Sequence, residues 1–132
     1  MFGSKEIIGE ETVKLIDGRI FKLPSFTGVD KNDKLFLVRL GEDLALFNSD
    51  SYSNIIQELE FKFHETEDIS ERLRLRKLVK MFYYSIIREL KCGRNRMLTI
   101  PKDIPSEYKI NCEKIKCIGE RKHLIIKKEK NN

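Results

Sequence analysis

The sequence predicts an α+β fold: two copies of a small β-hairpin unit with a pair of helices between them. One observation is a repeat. TVKLIDGRIFKLP, residues 12–24, is answered by ELKCGRNRMLTIP, residues 89–101, with Arg96 standing to Pro101 as Arg19 stands to Pro24, 77 positions later. A second is that each copy is followed by an apolar run, a turn and another short apolar run. The third is a change of period between the copies, from the alternation of strands to the 3.6-residue spacing of amphipathic helices.

Each copy reads as a strand, a tight turn ending in arginine, a four-residue strand, and a proline that stops the pairing. Gly18 and Asn95 precede the two arginines, and both residue types tolerate positive φ. The strands after the turns, Ile20 to Leu23 and Met97 to Ile100, are apolar except at the third place, held by Lys22 and Thr99. A polar third residue implies one wet face. A lone arginine in a turn is an ordinary charged surface residue; its repetition at the same turn position gives Arg19 and Arg96 more weight.

After Pro24 a polar loop containing Gly28 and residues 30–33 leads to LFLVRLG, whose nearly unbroken apolar content implies burial on both faces. Gly41-Glu42-Asp43 turns into LALF, residues 44–47. In the second copy KIKCIG, residues 114–119, corresponds to LFLVRLG with Gly119 opposite Gly41, and HLII from His123 corresponds to LALF. Neither copy is large enough to be stable alone, so the two are expected to bury a face against each other.

The segment between the copies carries two helical patterns. Ser49, Asp50 and Ser51 offer N-caps for a helix over 51–63 with the apolar stripe Tyr52, Ile55, Ile56, Leu59 and Phe63. After HETED, a second stripe runs through Ile69, Leu73, Leu75, Leu78, Val79, Phe82, Ile86 and Leu90, beside the basic residues Arg72, Arg74, Arg76, Lys77 and Lys80. That basic side reads as a solvated face, or as an interface that faces phosphate. The resulting division is 1–48, first repeat; 49–86, helical pair; and 87–132, second repeat with a basic tail.

Composition narrows the function. The net charge is +5 over 132 residues, and the excess is local: residues 91–132 hold 12 basic against 5 acidic residues, whereas each of the two preceding segments is slightly acidic. A basic second copy points toward a polyanionic partner. Cys92, Cys112 and Cys117 have no CxxC spacing, and neither His64 nor His123 has a second ligand nearby, so no metal and no disulfide framework is expected. No Gly-rich phosphate loop or nucleophile–base spacing is present, so no enzyme activity, cofactor or small-molecule substrate is expected either. Without a secretory leader or transmembrane run, the chain reads as cytoplasmic.

The order of repeat, two helices and repeat, the initial Met-Phe, and the twice-used pattern of Gly18-Arg19 to Pro24 and Asn95-Arg96 to Pro101 resemble the MraZ family of the SpoVT-AbrB class. The stretch ERLRLRKLVKMFYYSIIREL resembles that family's arginine-rich helix between the repeats. Two departures stand out: the motif aspartate, four residues before each arginine, is Leu15 in one copy and Cys92 in the other. The resemblance implies AbrB-like swapped β-hairpin repeats forming an intertwined small barrel and a homo-oligomer that closes into a ring. It also implies double-stranded DNA as partner, read at short direct repeats upstream of a division and cell-wall gene cluster, and a nucleoid location. The DNA-contacting residues are then expected to be Lys14, Arg19, Lys91, Arg94 and Arg96, gathered into one exposed patch, with Arg96 mattering more than Arg19 because Asp17 dilutes the first copy. The alternative is a degenerate member that keeps the ring as an assembly protein without binding an operator.

Overall fold

The computed structural model describes residues 6–110 and 112–129. The initial Met-Phe and the last three residues of the basic tail lie outside them. Eight strands and two helices follow in the order β1 (Ile7–Lys14), β2 (Ile20–Lys22), β3 (Lys34–Leu40), β4 (Asp43–Asn48), α1 (Ser49–Glu65), α2 (Ile69–Ser85), β5 (Ile86–Lys91), β6 (Met97–Thr99), β7 (Lys114–Arg121) and β8 (His123–Lys128). This is an α+β fold in which every strand pair is antiparallel. Six strands form one sheet in the order β1-β7-β8-β4-β3-β5, and β2 pairs with β6 as a separate ribbon.

The two expected arginine-turn hairpins are corrected by this pairing. The turns close: Ile16 and Ile20 exchange both backbone bonds at 2.7 and 2.9 Å, and the Gly93 N–H donates to the Met97 carbonyl at 2.9 Å. Beyond them the strands part. β1 leaves to pair with β7 of the second copy, β5 pairs with β3 of the first, and β2 meets β6. An isolated two-stranded hairpin is marginal in water, and exchange between copies adds β1 and β5 as the edges of the six-stranded sheet while β2 and β6 pair separately. The later hairpins, β3–β4 and β7–β8, form within their own copies and join through β4 and β8 at the sheet centre.

The inner face of the sheet carries the main core. Leu35, Leu37, Leu44, Leu46, Ile115, Cys117, Leu124 and Ile126 meet the ribbon's Phe21 and Leu98, both about fully buried. On the outer face Val38, Ala45 and Phe47 pack under α1 and α2 with Phe36, Val79 and Phe82. β3 thus buries side chains on both faces, as its unbroken apolar run predicts.

Helix ends differ from the sequence reading by small, explicable amounts. α1 begins at Ser49 because Asn48, not Ser49 to Ser51, is the cap, its side-chain oxygen accepting from the Ser51 N–H at 3.1 Å. Asp68 caps α2 in the same way. α2 stops at Ser85, so Ile86 and Leu90 lie in β5 rather than on the helical stripe. Paired β-branched residues, Ile86 and Ile87, suit a strand, and the open edge of β3 supplies the hydrogen bonds.

The equivalence of Gly119 with Gly41 is also corrected. Pairing registers Leu40 with Asp43 and Gly119 with Leu124, which aligns the hairpins at 80 residues and puts Arg121, φ 68°, at the place of Gly41, φ 61°. Gly119 serves closeness instead: a Cβ there would sit 2.6 Å from the Ile7 carbonyl oxygen across the β1–β7 pair.

At the sheet centre His123 stacks on Phe47 with ring centroids 4.6 Å apart, and burial pushes its pKa below 6.5 despite Glu120. The folded imidazole binds a proton less readily than the unfolded one. The stability it confers is therefore complete above the ordinary histidine value and is lost as pH falls below it. Denaturant midpoints on either side of that range should rise with pH in the wild type, and His123→Phe should flatten the rise.

Candidate nucleic-acid interface

The ribbon places the two motif arginines at its opposite ends. The Ile100 N–H donates to the Arg19 carbonyl and the Leu23 N–H to the Arg96 carbonyl, both at 2.9 Å, so the β2–β6 pairing is framed by an arginine on either side. Their turns are alike but not identical. Asp17 and Gly18 take positive φ in the first copy, whereas Asn95 and Arg96 itself, φ 59°, do so in the second. Holding an arginine in the left-handed region costs on the order of 1 kcal/mol. Its Nε donates to the Leu23 carbonyl at 3.1 Å, which fixes the side chain against the ribbon.

Each arginine borders a cleft beside the motif proline. Around Arg19 the cleft is about 320 Å³ and includes Gly18, Ile100, Pro101, Lys102 and Lys109. Around Arg96 it is about 220 Å³ and includes Glu11, Lys22, Leu23, Pro24 and Ser25. The first holds three cations and no carboxylate; the second sets two cations against Glu11. Electrostatics therefore favour an anion in the Arg19 cleft, the reverse of the ranking drawn from sequence. Asp17 is exposed in the turn but does not line the cleft.

Lys14 and Lys91 do not join a single patch. They end β1 and β5, the two edge strands, which run in opposite directions and so leave them at diagonally opposite corners of the sheet. Each faces another lysine: Lys14 is registered with Lys114 and Lys91 with Lys34, all exposed. Like charges directly across a strand pair are destabilising on their own, which a polyanion would relieve. Arg94 is exposed at its turn. The cations are thus split into two related sets. Lys34, Lys102, Lys109 and Lys114 were missed because the pairing between copies, which brings them beside the motif, is not visible in local pattern; Lys22, inside the first motif, carried a signal as the polar third residue of its strand.

The motif-aspartate places are core positions here. Leu15 is 6% and Cys92 2% exposed, and burial, then the nearby Asp33 carboxylate, push the Cys92 thiol up. Among the described residues no cluster of three metal-ligating side chains occurs. The thiol lies 3.6 Å from the Gly93 carbonyl oxygen and 3.9 Å from that of Met97. Cys92→Ser should cost about 1–2 kcal/mol in denaturant unfolding, from burying a hydroxyl. DNA affinity of the folded variant should be unchanged, with or without reductant; loss of binding under reducing control would give the thiol a functional role.

Among the described residues no helix is long and apolar enough to cross a membrane. No protein-family description matches the chain, and no curated protein matches it.

Proposed function

We propose that the protein is a DNA-binding transcriptional regulator of the MraZ type, with AbrB-like swapped repeats, acting at the nucleoid on short direct repeats. The observation that carries this reading is the pair of arginine turns at the two ends of one ribbon, each beside a cleft with further cations. Arginine and lysine at such positions neutralise phosphate and order the protein on a duplex. A footprint on duplex DNA from the protein's own upstream region tests it. Protection at spaced short repeats is the expected result; no protection at low salt would favour the assembly protein that has lost its operator, a reading supported by the buried Leu15 and Cys92.

Homo-oligomerisation, in a ring, belongs to the same proposal. α1 and α2 cover Phe36, Val38, Ala45 and Phe47, while the equivalent places of the second hairpin, Lys116, Ile118, Ile125 and Lys127, are not among the described residues packed in that cluster. Beside them Ile8 is 66% exposed, and the helix pair itself exposes Phe61, Ile69, Leu73 and Tyr84. A neighbour's helices seated on the second hairpin through these exposed side chains would make a head-to-tail contact, which gives a ring when its rotation closes. Light scattering at micromolar concentration should give several times 15.6 kDa. A monomer alone would contradict it.

A further inference from the structure

We infer that the outward face of the β2–β6 ribbon, with Lys22 and Thr99 diagonally across its middle, reads base edges in the DNA major groove. This rests on the DNA-binding reading above and adds the element that would supply sequence specificity. Side chains alternate across a strand, and the ribbon's inward residues are settled: Phe21 and Leu98 are paired and buried, and Leu23 and Ile100, at opposite ends of the ribbon, are buried as well. The outward set is then Ile20, Lys22, Met97 and Thr99, with Lys22 registered against Met97 and Ile20 against Thr99. Lys22 and Thr99 are exposed, and Ile20 and Met97 are half-buried. Among the described residues Lys22 forms no ion pair.

The dimensions suit the groove. Two strands are spaced about 4.8 Å apart, and with side chains such a ribbon enters a major groove of about 12 Å width. Arg19 and Arg96 lie four residues apart along the ribbon, roughly 13 Å, so they would meet phosphates while the centre faces the bases. The chemistry suits base edges as well. Lysine donates to guanine O6 and N7, threonine offers a hydroxyl and a methyl, and Ile20 and Met97 supply apolar contact for a thymine methyl. No carboxylate lies among the four outward residues. Burial of the inward face explains why this strand is apolar; it does not require the polar residue that each copy places outward at its third position.

The test is selection from a randomised duplex library with the full chain, its Lys22→Ala variant and its Thr99→Val variant, both changes being at exposed positions. The wild type should enrich a motif, and each variant should lose about tenfold discrimination at one position; Thr99→Val, which removes no charge, should keep its affinity for motif-free duplex, whereas Lys22→Ala should lose some of it with the lost cation. Methylation of guanine N7 should interfere with wild-type binding at the position that Lys22→Ala relaxes. If both variants select the wild-type motif with equal discrimination, the ribbon is not the reader, although DNA binding stands. A wild type that binds duplex without enriching a motif overturns the ribbon reading alone. One that retains no duplex overturns both.

Discussion

Arg19→Ala should weaken binding to duplex DNA by at least about tenfold, the loss of one charge-assisted phosphate contact. The same change at Arg96 should weaken it less and also lower stability. Arg19 shares its cleft with Lys102 and Lys109, so its removal reduces a concentrated field. Arg96 shares its cleft with Glu11 and commits its Nε to the Leu23 carbonyl, so its removal also leaves a ribbon acceptor without that partner. If the protein binds as a ring, each deficit is multiplied over several engaged copies. Arg94, exposed at its turn, should act as a phosphate contact alone: Arg94→Ala should lower affinity equally on operator and scrambled duplex and flatten the salt dependence by about one unit of slope. Filter binding over a salt series separates these outcomes. Equal affinity in all three variants would move the contact to the basic side of α2, at Arg72, Arg76 and Lys80.

Tyr52→Ala should destabilise the fold by about 3–5 kcal/mol, the cost of removing a buried aromatic ring. Tyr52 is 1% exposed, with Phe47 at 5.0 Å, Phe82 at 5.4 Å and Phe36 at 5.6 Å between ring centroids. Its hydroxyl donates to the Phe82 carbonyl at 2.6 Å, and burial pushes its pKa up to about 12, so it stays a neutral donor. One side chain thereby joins α1, α2 and the outer face of the sheet. Tyr52→Phe keeps the ring and should cost only about 1 kcal/mol. Urea unfolding followed by circular dichroism distinguishes the two. A loss in Tyr52→Ala no greater than in Tyr52→Phe would mean that the helix pair is held by something else.

Much of the secondary structure was legible because local patterns state it. The α1 stripe at Tyr52 and Ile56, the two-faced burial of β3 and the positive φ at Gly18 and Asn95 all follow from residue types and spacing. Pairing partners did not follow. Thr12 to Lys14 and Ile20 to Lys22 look like two arms of one hairpin, and only the demand to cover the inner faces of both later hairpins sends β1 and β2 to different neighbours. The same blindness divided the candidate site. Lys14 and Lys91 occupy matching places in the repeat, yet an approximate twofold arrangement of the copies carries them to opposite corners. Lys102 and Lys109, in a loop after the second motif, reach Arg19 of the first through the β2–β6 pairing. The α2 boundary was missed for a related reason: Ile86 and Leu90 continue the helical spacing, but β3 offered an edge to pair with.

The most direct measurement is the salt dependence of binding to duplex DNA from the protein's own upstream region, comparing wild type with the Arg19→Ala/Lys102→Ala/Lys109→Ala variant. Three phosphate neutralisations lost per engaged site should lower the slope of log affinity against log salt by about 2.7 units. A variant with the wild-type slope and affinity would contradict the assignment of the Arg19 cleft as the anion-binding centre.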